Sequence, residues 1–427
     1  MGKVLARLTS LCGGLREPAF RRLWLSQVVS EVGDWAARLA LTTLVYRRTD
    51  SAAWATVIAV SALLPMLGPG QLIATLADRF DRRLILVSAD IARAAVFAAL
   101  MLTTPPMWAL LALSTLAGLA TVPFEAARSA AILDVTAAER VPAAMALGQA
   151  TQSLALVIGW AVGGLLLVLA GTHGALGVNA GTFLLSAMLL AGLPPLHPSP
   201  EGHAAEGDRR RGPVRRLTGA TKWIAREPLV RRAAIVAVLA VGPGTAVEAL
   251  IVPYVGRAAD AAAFSALLLA LGAAADLVAT IAIPNGLRPE RLLRLAATVS
   301  AVPAAVAAVL FWTGIPALIC TGFVISAMSL AAIAPASAAL APRLPAQMRA
   351  SCFTVLATAL TLTQVVLTTG GGVVADHATP QRAAAALVLL PLLAGAVALA
   401  RPARQVSAPA YFSGLASNPR LQDAAQK

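Results

Sequence analysis

The sequence predicts an all-α, polytopic membrane protein of twelve transmembrane helices in two six-helix halves. Three observations carry this expectation: an apolar composition, twelve apolar runs of membrane-crossing length, and a one-sided distribution of basic residues. The 427 residues are 58% hydrophobic and 13% charged, with a mean hydropathy of +0.77, whereas soluble domains carry about a quarter charged residues. The runs are roughly 23–46, 52–77, 84–103, 107–132, 141–170, 174–194, 229–253, 262–283, 292–313, 315–340, 350–374 and 381–400. Most are near the ~20 residues that span a bilayer. Segments 262–275 and 383–399 are alanine-rich and give the faintest insertion signal, since alanine adds little to hydropathy.

Basic residues set the orientation. With both termini inside, the inner segments hold 27 of the 34 lysines and arginines, the bias expected of cytoplasmic loops. The others are Arg38, Arg47, Arg48, Arg93, Arg128, Arg257 and Arg382, in spans or outer loops. A bacterial-type inner membrane with cytoplasmic N- and C-termini follows. The net charge of +14 is spread over short loops, which fits orientation and anionic lipid better than nucleic acid, and no nucleic-acid partner is expected. Residues Met1 to Phe20 lack an apolar core followed by a small-residue cleavage site and read as a cytoplasmic arm rather than a cleaved signal.

The longest hydrophilic stretch divides the chain. Residues 195–228 are proline-rich and then basic, from Asp208 to Arg216, and read as a flexible cytoplasmic linker with a surface helix over Thr221–Glu227. The expected organisation is 1–194 as the first half, 195–228 as linker, 229–400 as the second half and 401–427 as a cytoplasmic tail. Six plus six spans about a linker is a transporter-type internal repeat.

The polar stretch Ala77-Asp78-Arg79-Phe80-Asp81-Arg82-Arg83 lies between the second and third runs. Its charges cannot lie in hydrocarbon, so it forms a cytoplasmic turn. It resembles the G-x-x-x-D-R-x-G-R-R turn of the major facilitator superfamily. Asp78, Arg79, Arg82 and Arg83 match, while Ala74 and Asp81 stand where glycines usually do. Read without the resemblance, the stretch is a topogenic charge cluster. The corresponding turn after the eighth run, Gly286 to Arg291, lacks the aspartate. Phe20-Arg21-Arg22-Leu23-Trp24 and Ser30-x-x-Gly33-Asp34-Trp35 are most similar to the bacterial drug exporter branch that contains macrolide and enterobactin exporters. The resemblance implies the major facilitator fold and transport by alternating access, with the Asp78–Arg83 turn as a cytoplasmic gating element.

Charges inside the runs ask for a reason, because an acid at mid-bilayer costs about 2.5–3.5 kcal/mol on insertion scales. Glu31 and Asp34 are three apart on one face of the first span, about midway through it. Desolvation favours the neutral form of such carboxyls, which makes the two acids candidates for proton coupling. The competing expectation for Asp34 is a purely structural pair with Arg38 at i+4. Asp90 and Arg93 in span three lie at the same depth as Glu125 and Arg128 in span four, which suggests cross-helix bridges, either static or part of a gate joined to the turn. Glu248 and Asp276 are isolated acids in spans seven and eight, candidates for a cation or proton path. Span four carries no arginine over 108–124, unlike many antiporters of the resembled family.

Span five contains Gly159-Trp160-Ala161-Val162-Gly163-Gly164. Gly159 and Gly163 share a face and permit close helix packing. The segment also resembles the G-P-x-x-G-G exporter signature, with Trp160 at the proline position.

Other function classes find little support. The lone Gly-Lys pair, Gly2-Lys3, is followed by valine, so no ATP-binding loop is expected. No constellation for a membrane enzyme stands out. Cys12, Cys320 and Cys352 lack paired spacing, and the four histidines are scattered, so neither a metal nor any cofactor is expected. The reading is a monomeric, proton-coupled exporter, or one coupled to another ion, of a hydrophobic or amphipathic small molecule in a mostly apolar cavity. An uptake symporter or a lipid-handling transporter of the same fold is the alternative.

Overall fold

The structure, a computed structural model, describes residue 15 and residues 17–67, 80–103, 105–196, 213–256, 260–284, 287–340, 343–344 and 348–399. Asp78 and Arg79, the N-terminal arm, most of the linker and the C-terminal tail lie outside the described residues. Every regular element described is helical.

The first half begins with α1 (Pro18–Thr49), opened by a proline at its first turn and stopped at Asp50, whose backbone is left-handed (φ 54°). Ser51 then caps α2 (Ala52–Ser61) by accepting from Trp54 N–H, and a 3₁₀ turn covers Leu64–Leu67. Next come α3 (Arg82–Leu102) and α4 (Met107–Val135). Helix α5 (Val141–Ala191) is 51 residues long. At ~1.5 Å per residue it would reach roughly 75 Å, far beyond a ~30 Å hydrocarbon layer. It is two spans joined at Gly171, whose φ of 65° and ψ of −172° only glycine adopts readily.

The surface helix α6 (Pro213–Arg226) is longer than the Thr221–Glu227 expectation. It is followed by α7 (Pro228–Ala249), the short α8 (Ile251–Val255), α9 (Ala261–Ile281) and α10 (Pro289–Phe311). Span ten is α11 (Pro316–Ala327) and α12 (Ile333–Leu340), joined by a 3₁₀ segment. The chain ends in α13 (Arg349–His377), α14 (Pro380–Leu387) and α15 (Leu389–Leu399).

Eight helical stretches among the described residues are long and apolar enough to cross a membrane. Counting α5 twice, and adding the charge-bearing α1, α2 and the α14–α15 pair, gives the twelve spans expected. The alanine-rich runs are helical too. Their small side chains let helices approach closely, and close packing replaces the hydrophobic drive that lipid removes. Ala233, Ala237, Ala240, Ala296, Ala332 and Ala336 form such a core in the second half, against which Ala220 and Trp223 of α6 also pack.

Between the halves, α9 packs on α5 and α13 packs on α2. Leu39, Ala52 and Trp160 of the first half join Leu250, Leu269 and Phe323 of the second in one buried cluster. Exposed side chains are large and apolar, Leu102, Leu169 and Ile281 among them, as lipid contact requires. Trp54, Trp108 and Trp312 are exposed at starts of α2 and α4 and just past α10. All three lie at the end away from the linker, where they form an interfacial aromatic belt.

Candidate functional site

The two carboxylates of α1 face two different arginines. Arg93 Nη1 lies 3.9 Å from Asp34 Oδ2, and Arg128 Nη1 lies 3.6 Å from Glu31 Oε1. Each arginine holds a closer acid one turn away on its own helix: Arg93 pairs with Asp90, and Arg128 meets Glu125 at 2.6 Å. The expected bridges between spans three and four are therefore replaced by i,i+3 pairs that reach back to α1. The reason is geometric: α1 supplies two acids at the same depth, and a guanidinium has enough donors to serve two carboxylates. Ser186 Oγ donates to Asp90 Oδ2 at 2.6 Å, and the Arg93 guanidinium sits 4.2 Å from the Phe124 ring centroid and 4.3 Å from that of Phe183. Asp90 and Arg93 are thus buried and paired, with the Arg93 guanidinium clamped between two aromatic faces.

Glu31 is also held by Gln27, whose Nε2 donates to Oε1 at 2.9 Å and to Gly148 O at 3.1 Å. Its other oxygen is buried without a hydrogen-bond partner. Asp34 keeps 40% of its side-chain surface accessible. Both acids line a chamber of about 380 Å³ within the first half, together with Trp35, Arg38, Arg93 and Gln152.

Arg38 does not form the expected i+4 ion pair with Asp34. Its guanidinium lies over the Trp35 ring, 4.4 Å from the centroid. Trp35 in turn packs on Trp160 with centroids 5.2 Å apart. Trp35 and Arg38 also line a second cavity of about 320 Å³ that lies between the halves, bounded further by Trp160, Thr245, Glu248, Gln364 and Thr368. Trp35 and Arg38, with Ala59 and Leu63, line both spaces and form the wall between the chamber of α1 acids and the inter-half cavity. Glu248 lines the cavity, while Asp276, on α9 of the same half, has one buried oxygen without a hydrogen-bond partner among the described residues.

The glycines of α5 serve these approaches. A Cβ on Gly159 would stand 2.5 Å from Trp35 Cβ, and one on Gly163 would stand 2.8 Å from Ala36 Cα. Gly164 faces Ala266 of α9 in the other half. Trp160, read from sequence as a departure at a proline position, is a wall of the inter-half cavity.

The turn before α3 is anchored at both sides. Arg82 pairs with Asp134 at the end of α4. Asp81 accepts from its own helix at Arg83 N–H (2.8 Å) and from Leu196 N–H (3.1 Å), while Arg82 N–H donates to Leu196 O at 3.0 Å. At this linker end Arg140 pairs with Glu17 within the first half, and Arg343 pairs with Glu290 of the second half and with Glu227 at the end of the linker. At the far end, Asp376 of α13 crosses the halves to the start of α2. A third opening, about 830 Å³, lies on the flank of the second half between α9 and α11, lined mostly by apolar side chains such as Phe264 and Leu267.

Sequence reasoning underread Arg38, Trp35, Gln364 and Asp376. A lone arginine deep in an apolar run next to a tryptophan was the available signal for the first two. Nothing local marks the others.

A family model described as the Major Facilitator Superfamily matches residues 23–288. The uncharacterized MFS-type transporter YfiS of Bacillus subtilis (strain 168) is 28% identical over 187 residues, 42% of this chain and 45% of that protein. The chain therefore aligns with less than half the length of that relative. Among solved structures, a bacterial homologue of the human lysosomal transporter Spinster, inward-facing and unoccupied, is similar at a TM-score of 0.67 and 16% identity over 90% of this chain and 96% of that one. The nucleoside transporter NupG is similar at a TM-score of 0.70 and 10% identity, over 90% and 99%. A peptide transporter POT bound to alafosfalin is similar at 0.66 and 15%, over 89% and 94%. At such identities the likeness is one of fold.

Proposed function

The chain belongs to the Major Facilitator Superfamily as a multi-pass secondary transporter of a small molecule, and we propose that it is a proton-coupled exporter of hydrophobic or amphipathic compounds. The observation that carries the proposal is the shared wall. Asp34, 40% accessible in its chamber, lies one helical turn from Arg38, and Arg38 borders both that chamber and the inter-half cavity with Glu248. A proton taken from water by Asp34 cancels its charge. Arg38 then faces one fewer acid in the first half and is drawn toward Glu248, which biases the two halves against each other. Release of that proton on the other side reverses the bias. A change in affinity between two states is what lets a bound proton move a conformational equilibrium. Glu31, held by Gln27 and Arg128, assists as the second titrating acid. The turn with Arg82 and Arg83, together with Asp78 and Arg79, serves as the inner gate.

The similarity of Ser30–Trp35 and Ala77–Arg83 to drug and enterobactin exporters supports the outward direction. The test is accumulation of a panel of hydrophobic drugs in cells with and without the protein, with the proton gradient intact and collapsed. Lower accumulation that disappears with the gradient is the expected result. Higher accumulation in expressing cells would replace export with uptake. The flank opening favours one second reading, a lipid-like substrate entering sideways from the bilayer. Labelled lysophospholipid moving between leaflets of proteoliposomes would support it.

A further inference from the structure

We propose that the inter-half cavity selects a small amphoteric molecule: an apolar body carrying a carboxylate or similar oxyanion at one end and a basic amine at the other. The proposal deepens the exporter reading by naming the chemical class of substrate, and it rests on that reading only in taking this cavity as the substrate's place.

The cavity is built with both signs of charge and with unused hydrogen bonds. On the first-half side, the Arg38 guanidinium is stacked on Trp35. Among the described residues no hydrogen bond or short ion pair occupies its donors. Trp160 is only 6% exposed, yet its indole N–H has no partner. Thr368 is 1% exposed and its hydroxyl is likewise unpartnered. Both residues line the cavity through their other atoms, and Gln364 lines it as well. On the second-half side stands Glu248, whose carboxyl group also makes no hydrogen bond or short ion pair among the described residues. Buried polar groups are normally satisfied, and an arginine in particular is matched to carboxylates by its fork of donors. Here a basic and an acidic side chain that make no direct ion pair with each other face one space of about 320 Å³, at the lower end of the range for small-molecule sites. A ligand with one charge of each sign answers both at once.

The rest of the wall sets the body between the charges. The paired rings of Trp35 and Trp160 offer an aromatic face, and Leu39, Val252 and Leu269 are apolar. A ring system of one or two cycles stacks there, with its oxyanion toward Arg38 and its amine toward Glu248. A fully apolar drug would leave the two charges unanswered, and a doubly anionic compound would meet Glu248 unfavourably.

The experiment is titration calorimetry of the purified full chain with norfloxacin, a compact ring carrying a carboxylate and an amine, beside its methyl ester and its N-acetyl derivative. Norfloxacin should bind most tightly, and each blocked form at least about tenfold more weakly, as loss of one charge-assisted bond implies. Arg38→Gln should bind acid and ester alike while still favouring the free amine. Glu248→Gln should show the reciprocal pattern, free and acetylated amine alike with the acid still favoured. Reciprocity separates recognition from a damaged fold, which would weaken all three probes together in either variant. Equal binding of the three forms by the natural chain, absence of binding by all of them, or an unchanged order of the three forms in variants that keep the natural unfolding midpoint would each overturn the proposal. Calorimetry needs no gradient. Loss of proton-driven export with this binding pattern intact would sink the coupling reading alone, and indifferent binding with driven export intact would sink this one alone.

Discussion

Asp376, in the last turn of α13, joins Ser51, the N-cap of α2, across the two halves: the Ser51 hydroxyl donates to Asp376 Oδ2 at 2.6 Å. The same carboxylate accepts from Ala52 N–H at 2.5 Å and Ala53 N–H at 3.2 Å. It therefore caps α2 from the opposite half and meets the positive end of that helix. Gly372, one turn earlier, allows the approach, since a Cβ there would stand 2.8 Å from Ala52 O and 2.9 Å from Ala53 Cα. These bonds tie the two halves together at the far end of the molecule. Asp376→Ala should lose about 1–2 kcal/mol of that tie, a roughly fivefold to thirtyfold shift toward opening at this end. In a background without cysteines, Val60→Cys in the inter-half cavity should then react correspondingly faster with an impermeant thiol reagent added to intact cells. An unchanged rate would remove the latch role.

Asp81 departs from the glycine of the resembled turn, and its structural role gives the reason. It caps α3 and holds the exit of α5 through Leu196 N–H. Asp81→Ala should lower stability by about 1–2 kcal/mol through the cap and this second bond. Thermal unfolding in detergent measures it. Asp81→Gly, although it restores the usual turn residue, should also lower the midpoint here.

Orientation has its own test. Thr103 is exposed at the same end as Trp54, Trp108 and Trp312, and Gly207 falls in the hydrophilic sequence stretch expected to be a cytoplasmic linker. In a cysteine-free background, Thr103→Cys should be labelled by impermeant reagents in intact cells and Gly207→Cys should resist them. Ready labelling at 207 would invert the topology.

The helices were legible because each span must satisfy its own backbone in lipid, and apolar length alone reports that. Even the break at Gly171 was legible, as the uncharged gap between two runs. Pairings among the spans were not. Sequence spacing places Arg38 one turn from Asp34, but the Trp35 ring takes its guanidinium, and Arg93 reaches Asp34 from another helix. Which of several equally deep partners an acid meets depends on helix rotation and separation, and small residues such as Gly159 and Gly163 set these at contacts that no local pattern encodes. Asp376 carried no signal at all, because its partners, the Ser51 hydroxyl and two backbone N–H groups, lie more than three hundred residues away.

The sharpest test of coupling concerns Asp34. Its partner Arg93 keeps a closer acid in Asp90 and the faces of Phe124 and Phe183. Removing the Asp34 charge therefore does not strand Arg93, and Asp34→Asn should change the unfolding midpoint little. The same substitution keeps the shape and hydrogen-bonding capacity of the side chain but removes titration. In proteoliposomes, drug export driven by an imposed pH gradient should cease. Exchange of labelled for unlabelled drug with no gradient should continue, since that cycle needs no proton to be carried. Glu31→Gln should slow driven export without ending it, because Gln27 and Arg128 already hold that acid in place. If Asp34→Asn still builds a drug gradient from a pH gradient, the coupling proton is carried elsewhere, with Glu248 and Asp276 the next residues to substitute. If the variant instead loses exchange and stability together, Asp34 is a structural counter-charge to Arg93, and the coupling assignment falls.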